Sequence, residues 1–222
     1  MNSPVAGIKA IIFDFDGLII DSELPEFQSW CDVYEAFGQV LDLNDWSAGI
    51  GTRDGFDPYE FLEQLTGQPV DKGAVRAIRR PRYAELLRTA TVLDGVPTWL
   101  HDARQLGLRV GLASSSDADW VVQHLDRYGL KHMFDAIRCA GAGLIAKPAP
   151  DLYLRVLSDF GVSAMEAIAL EDSPNGVAAA KAAGLYCIGV PNQITAKLDL
   201  SHADLILPSL AASSLSEVLA GK

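Results

Sequence analysis

Polar side chains that could carry out chemistry follow short apolar runs or stand in loops at four places in the chain. They are Asp14 and Asp16, Ser114, Lys147, and Glu171 with Asp172. Crowded carboxylates repel one another, and a divalent cation such as Mg²⁺, which prefers oxygen ligands, relieves that repulsion. One carboxylate can attack phosphorus, a second can move the proton, and an ammonium and a hydroxyl can neutralise the phosphoryl oxygens. The set therefore predicts phosphoryl transfer.

Each signal has a plain structural explanation when it is taken alone. An Asp-x-Asp sequence is often a solvated turn, and a lysine in a loop is often on the surface. Ser116, shortly after the second apolar run, is expected to cap the following helix. The acidic pair 171–172 could serve the dipole of the helix after it. The four signals in this order favour the chemical interpretation over the structural one.

The elements that would position these residues alternate regularly after residue 95. Short β-branched or apolar runs at 108–113, 136–140, 166–171 and 185–190 read as strands, and the run 9–13 reads as a first strand. Helix patterns that end on glycines lie between them, and Ser173-Pro174 supplies a cap and a first-turn proline. Such repeats predict a doubly wound, Rossmann-like parallel sheet, whose strand carboxyl ends converge at one edge.

Residues 22–92 interrupt this alternation with helix patterns alone. A strong amphipathic pattern covers 27–37, a second covers 58–66, and a third covers 72–89 with an expected interruption at Pro81. We therefore expect a catalytic core of residues 1–21 and 93–222 and an all-helical subdomain of residues 22–92.

Composition excludes several classes of protein. The 222 residues carry 18 basic and 29 acidic side chains, a net charge of −11 that disfavours nucleic acid or an anionic membrane as partner. The three cysteines and four histidines show no zinc-ligand spacing. No apolar run is long enough to span a membrane, and the first residues do not resemble a secretory signal. We expect a soluble, cytoplasmic protein that is a monomer or weak dimer.

The segments 13–17, Ser114, 147–151 and 171–176 together resemble the four motifs of the haloacid dehalogenase superfamily. Within it the chain resembles the β-phosphoglucomutase-like and phosphoglycolate-phosphatase-like branch, whose helical cap is inserted after the first strand. The resemblance covers nearly the whole chain. It implies a Rossmann-like core, dependence on Mg²⁺ and an aspartyl-phosphate intermediate.

The resemblance also implies a role for each motif residue. Asp14 would be the nucleophile and a metal ligand, and Asp16 the general acid and base with its backbone carbonyl on Mg²⁺. Lys147 would bridge Asp14 and the phosphoryl group. The remaining implied roles are phosphoryl binding by Ser114 with Ser115 and metal binding by Asp172 with Glu171, directly or through water. Relatives that cleave carbon–halogen bonds lack the second aspartate, so the resemblance favours phosphate esters.

The cap would select the substrate. The loop residues Gly51, Thr52 and Arg53 stand where caps of this family reach the active site, and Arg53 is either a substrate ligand or a solvated arginine. The arginines 76, 79, 80 and 82 do not share one helix face, so we expect most of them to face solvent. Phe27 and Trp30 are expected in the cap core.

We therefore predict a Mg²⁺-dependent phosphatase of a small phosphorylated metabolite, either a sugar phosphate or a nucleoside phosphate. A phosphosugar mutase is the alternative, although mutases of the branch carry a histidine in the first cap helix and residues 21–27 contain none. A phospho-acceptor signalling module is a third possibility, against which the helical insertion argues, since a signalling phosphoaspartate needs no lid. The two connections near 18–21 and 91–95 are the expected hinges.

Overall fold

Six parallel strands form one sheet at the centre of this computed structural model, which describes residues 7–47, 50 and 56–221. The strands lie in the order β3-β2-β1-β4-β5-β6. Their bounds are β1 Ala10–Phe13, β2 Arg109–Ser114, β3 Ala136–Cys139, β4 Ala167–Glu171, β5 Tyr186–Gly189 and β6 Leu205–Ile206. From β1 the chain adds strands first on one side (β2, β3) and then on the other (β4, β5, β6). This change of side is typical of a doubly wound sheet, so the predicted fold class is confirmed.

Helices cover both faces of the sheet because side chains of each strand alternate between two apolar clusters. On β1, Ile11 and Phe13 face one cluster and Ile12 faces the other. The first face packs against α5 (Val96–Gln105), α6 (Ala118–Arg127) and α9 (Leu215–Leu219), and the second packs against α7 (Asp151–Phe160) and α8 (Pro174–Ala182).

The described residues between β1 and α5 form four helices. They are α1 (Glu23–Ala36), α2 (Leu43–Ser47), α3 (Pro58–Thr66) and α4 (Lys72–Leu87). Trp30, Tyr34, Leu62 and Val75 form an apolar cluster of their own, with Phe27 packed against it, as expected for a helical core. We call residues 22–92 the insertion.

The third predicted helix of the insertion differs from expectation, because α4 continues through Pro81 without interruption. Proline removes one helical hydrogen bond. Packing against α1 compensates, since Arg79 and Arg82, on either side of Pro81, form ion pairs with Glu26 and Asp32 of α1. Tertiary contacts thus override the local signal.

The two connections between the insertion and the rest of the chain pair with each other. Ile20 and Val92 form an antiparallel bridge, and the Leu93 amide donates to the Ile19 carbonyl at 2.9 Å. Gly95 has a φ of 89°, and a β-carbon there would overlap the backbone at Leu210. Close packing, rather than conformational freedom alone, therefore requires this glycine. That the connections act as hinges remains a prediction.

No helix within the described ranges is both long enough and apolar enough to cross a membrane.

Candidate active site

Four of the predicted site residues meet at the carboxyl edge of the sheet. Asp14 directly follows β1, Ser114 is the last residue of β2, and Glu171 is the last residue of β4. Since β1 pairs in parallel with both β2 and β4, these strand ends lie side by side. Asp172 follows Glu171, so the sheet brings three carboxylates and a hydroxyl to one place.

Lys147 reaches this edge from the loop before α7 and is only 2% exposed. Its Nζ donates to Asp14 Oδ1 and lies 2.7 Å from Glu171 Oε1. Burial alone would lower the pKa of Lys147, but the carboxylates of Asp14 and Glu171 hold that pKa above its usual value. The buried lysine therefore stays charged beside Asp14.

The acidic side chains at this edge resist ionisation. Burial raises the pKa of Asp14 to about 7, while Lys147 opposes the rise and the charge of Glu171 adds to it. Burial, followed by the charges of Asp14 and Glu23, also raises the pKa of Asp172. Carboxylates crowded in this way gain stability from a bound cation.

The donor set fits a hard divalent cation. Asp14, Glu171 and Asp172 each present an oxygen, and these three oxygens lie within 4.8 Å of one another. Tyr153 and Lys147 both contact Glu171 Oε1, whereas Glu171 Oε2 is buried and has no hydrogen-bond partner among the described residues. A buried oxygen without a partner costs free energy that a metal ligand would not. Clustered carboxylate oxygens are the ligands that Mg²⁺ prefers.

Two glycines make room for these carboxylates. A β-carbon on Gly176, in the first turn of α8, would overlap the Glu171 carboxylate. A β-carbon on Gly17 would overlap Asp172, and its φ of 77° is in any case one that side chains disfavour. Ser173 Oγ accepts a hydrogen bond from the Gly176 amide and so caps α8 as predicted.

Sequence reasoning missed Asn192, which holds Asp172 in place. Its Nδ2 donates to Asp172 Oδ2 at 2.7 Å and to the Gly17 carbonyl at 2.9 Å. Its Oδ1 accepts the backbone amides of Ile194 and Thr195, which fixes the orientation of the side-chain amide. Asn192 follows β5 by three residues, so the rule that strand ends converge on one edge could have found it.

The carboxylate of Asp16 lies outside the group of three and accepts three hydrogen bonds. Ser22 Oγ and Trp120 Nε1 donate to Oδ1 at 2.7 and 3.0 Å, and Ser116 Oγ donates to Oδ2 at 2.6 Å. The expectation that Ser116 caps a helix is wrong, because α6 begins at Ala118 and the hydroxyl of Ser116 is bound to Asp16. No sequence signal identified Trp120.

Ser114 and Ser115 lie at the end of β2, beside the Lys147 loop and Ser116. Ser114 is 1% exposed, and its Oγ accepts the Ser116 amide at 3.0 Å. Ser115 Oγ accepts the Lys147 amide at 3.2 Å, which ties the lysine loop to the end of β2.

A cleft of about 1040 Å³ lies between this edge of the sheet and the insertion. Asp14, Asp16 and the serines 114–116 line one side of it. Glu23 and Glu26 of α1 and Arg79 and Tyr83 of α4 are among the residues that line the other side. Burial, then the charges of Asp16 and Glu26, raise the pKa of Glu23 to about 8.

Gly51, Thr52 and Arg53 lie outside the described residues, so their predicted part in specificity stays a prediction. The residue before them, Ile50, lines the cleft, and its carbonyl accepts Asn175 Nδ2 at 2.8 Å. Of the four arginines near 80, Arg79 is largely buried in the cleft wall, whereas Arg76 and Arg80 are exposed.

Comparisons with known proteins agree with this geometry. A sequence model described as haloacid dehalogenase-like hydrolase matches residues 8–184. The provisionally named phosphatase YhcW of Bacillus subtilis is 42% identical over 212 residues, covering 96% of each chain. Hexitol phosphatase B of Escherichia coli K12 is 32% identical over 215 residues, covering 96% of this chain and 95% of its own. The crystal structure of CbbY from Rhodobacter sphaeroides with phosphate superposes with a TM-score of 0.75 at 26% identity, covering 95% and 99% of the two chains.

Proposed function

The chain belongs to the haloacid dehalogenase-like hydrolases, and from that premise we propose that it is a Mg²⁺-dependent phosphatase of small phosphorylated metabolites, chiefly sugar phosphates, acting through an aspartyl phosphate at Asp14. The observation that carries the proposal is the buried contact of Lys147 with Glu171 and with Asp14, the last of which lines the cleft. A buried ion pair of this kind costs desolvation free energy. A phosphoryl group bound there would be attacked by the Asp14 carboxylate and stabilised by the Lys147 ammonium.

In the proposed first step the Asp14 carboxylate attacks phosphorus and the bond from phosphorus to the leaving oxygen breaks. Lys147 opposes the effect of burial on the pKa of Asp14, so it favours the ionised form of that carboxyl, and it neutralises charge on the phosphoryl oxygens. The Ser114 hydroxyl and the Ser115 side chain flank the same oxygens. Since Ser114 Oγ already accepts the Ser116 amide, its hydrogen is free to turn toward the phosphoryl group.

Asp16 is proposed to carry the proton at its Oδ2 atom. An indole N–H can only donate, so the bond from Trp120 keeps Oδ1 an acceptor. A serine hydroxyl can donate or accept, so Ser116 can stay bound to Oδ2 whether or not that atom holds the proton. In the first step Asp16 gives this proton to the leaving oxygen. In the second it takes a proton from the water that attacks phosphorus and regenerates Asp14.

Asp14, Glu171 and Asp172 would hold Mg²⁺, together with the backbone carbonyl of Asp16. When bound, the cation supplies positive charge that lets these carboxylates ionise together and offsets charge on the phosphoryl group. Glu171 Oε2 accepts no hydrogen bond within the described ranges, which supports direct ligation by Glu171. Asn192 would keep Asp172 turned toward the metal.

The insertion is proposed to be a lid of residues 22–92 over a core of residues 1–21 and 93–222. The residues of the insertion that line the cleft would contact the leaving group, and closure of the insertion over the core would exclude bulk water. Arg53, in the loop after Ile50, is proposed to reach the substrate from the same side. These roles leave the bond-breaking groups on the sheet and the selecting groups on the insertion.

A panel of phosphorylated metabolites, assayed for released inorganic phosphate with Mg²⁺ present, tests the proposal. We expect steady release from sugar and polyol monophosphates at many turnovers per enzyme. An isomerised sugar phosphate without released phosphate would instead identify a mutase. A stoichiometric phosphoprotein without turnover would identify a signalling acceptor. If none of the esters released phosphate, the result would contradict the proposed function.

A further inference from the structure

Two ion pairs join α1 to α4, and they differ in where they lie. Arg79 Nη1 donates to Glu26 Oε1 at 2.5 Å in the wall of the cleft. Arg82 Nε donates to Asp32 Oδ2 at 2.7 Å, and neither of these two residues lines the cleft. One pair is therefore in a position to meet a substrate, and the other serves as an internal comparison.

The carboxylate of Glu26 is held in one orientation. Oε1 accepts Arg79 Nη1 and also Trp30 Nε1, the latter at 3.3 Å. The Arg79 guanidinium lies 4.9 Å from the centre of the Trp30 ring and 5.2 Å from that of Tyr83. Within the described ranges Glu26 Oε2 accepts no hydrogen bond, and the side chain is 29% exposed. An oriented acceptor therefore faces the cleft.

The cations near this acceptor in the described part of the chain already have partners. Glu26 pairs with Arg79, and burial raises the pKa of Glu23, which lines the same part of the cleft, to about 8. Of the other cations that line it in the described part of the chain, Lys72 and Arg76 lie over the Tyr59 ring, and Lys72 is 3.7 Å from Asp57. A second anion on the leaving group would meet the unshared Oε2 oxygen of Glu26. Oxygen atoms that carry negative charge repel each other more strongly where water is partly excluded.

An uncharged leaving group with hydroxyls would meet favourable partners instead. A hydroxyl can donate to Glu26 Oε2, and the faces of stacked aromatic rings suit the C–H side of a sugar or polyol. Tyr83 and Trp120 provide such faces, with ring centres 6.1 Å apart and planes at 21°. Trp120 also binds Asp16, so this pair of rings lies next to the reacting groups.

We propose that Glu26, fixed by Arg79, is a specificity-determining residue that accepts hydroxyl groups of an uncharged leaving group and repels a carboxylate or second phosphate in the same place. The proposal rests on the proposed phosphatase function and names its substrate class, the monophosphates of neutral polyhydroxylated compounds. Repulsion of the wrong ligand and attraction of the right one both contribute to such selectivity.

Matched pairs of esters test it, because the members of each pair differ only in an alcohol or a carboxylate at the end away from the phosphate. The pairs are 2-hydroxyethyl phosphate with phosphoglycolate, and glucitol 6-phosphate with 6-phosphogluconate. For the unmodified protein we expect kcat/KM to be roughly tenfold or more higher for the alcohol of each pair. Equal values, or a preference for the acid, would overturn the proposal without any variant.

Two substitutions locate the selectivity. Glu26→Gln keeps the shape, removes the negative charge and leaves Arg79 uncompensated, so the preference for the alcohol should fall by about tenfold. Asp32→Asn removes the equivalent carboxylate of the outer pair and should leave the preference unchanged. The same loss in both variants, or none in Glu26→Gln, would contradict the role of Glu26.

A minimal ester separates the two proposals. Methyl phosphate carries no hydroxyl that could donate to Glu26, so its hydrolysis reports the core chemistry without that contact. Phosphate release from methyl phosphate together with equal use of alcohol and acid would refute the inference and leave the phosphatase proposal standing. No release from methyl phosphate or from any member of the pairs would refute both.

Discussion

The sheet edge and the insertion wall face one cleft, but they hold their charged groups differently. At the sheet edge Lys147 is shared between Asp14 and Glu171, and one oxygen of Glu171 has no hydrogen-bond partner in the part of the chain that the structure describes. In the insertion wall Glu26 and Arg79 neutralise each other one to one. Excess acid at the edge suits a cation and a phosphoryl group. Matched charge in the wall suits recognition of a neutral group, and we therefore propose that reaction and selection by charge reside in separate elements.

Asp14→Asn should produce the largest effect, because it removes the attacking oxygen anion. We expect kcat/KM to fall roughly 10⁴-fold or more, by the same factor for every ester. Thermal unfolding should show an intact fold, since the substitution also removes a buried charge. Asp199→Asn, at an exposed position that does not line the cleft, is the control and should retain full activity. A loss that varies strongly between esters would break the separation of reaction from selection.

Removal of metal should have the next largest effect. Treatment with a chelator should lower the rate by about 10³-fold, and added Mg²⁺ should restore it, since the carboxylates at the edge need an added positive charge. Ca²⁺ should not restore it, because its coordination is larger and less regular. The preference between alcohol and acid esters should be measured alongside. Undiminished turnover after exhaustive removal of divalent cations would contradict the metal site.

Asn192→Ala should weaken Mg²⁺ binding by about 10- to 100-fold, because Asp172 loses the donor that orients it. Calorimetric titration of Mg²⁺ into the substrate-free protein measures this directly. Asn44→Ala removes a side-chain amide from the short helix α2 of the insertion and should leave the affinity unchanged. Equal affinities in the unmodified protein and Asn192→Ala would show that Asp172 needs no positioning.

The metal-free protein should lose stability as the pH rises from about 5 to 8. Burial raises the pKa of Asp14 from 3.8 to about 7 and that of Glu23 from 4.5 to about 8, so the folded state retains protons that the unfolded chain has lost. The slope is at most about 1.4 kcal/mol per pH unit for each group. Urea unfolding across this pH range measures the free energy of unfolding. In Glu23→Gln the contribution of Glu23 to the pH dependence should be missing. A free energy of unfolding that rises with pH would contradict it.

The amino-acid sequence predicts the sheet edge better than it predicts the contacts of the insertion. In parallel strands, local apolar runs decide which residues end a strand, so the amino-acid sequence is enough to bring Asp14, Ser114 and Glu171 together at one edge. The doubly wound sheet follows from the same runs and the family from the motifs at their ends, and both predictions are confirmed.

The remaining residues depend on contacts between distant segments, which no local pattern encodes. Trp120 meets Asp16 across 104 positions, and Arg79 meets Glu26 across 53. Ser116 carries an ordinary capping pattern, and only the fold shows that its hydroxyl is bound to Asp16 instead. The continuity of α4 through Pro81 likewise depends on its packing against α1.

The central claim is that Asp14 becomes covalently phosphorylated, and acid quenching during turnover tests it most directly. Borohydride reduces an aspartyl phosphate to homoserine, which peptide mass spectrometry locates in the chain. The account predicts homoserine at position 14 in the unmodified protein and none in Asp14→Asn. Homoserine at Asp16 or Asp172 instead would contradict the assignment of the nucleophile and with it the proposed division between the sheet edge and the insertion.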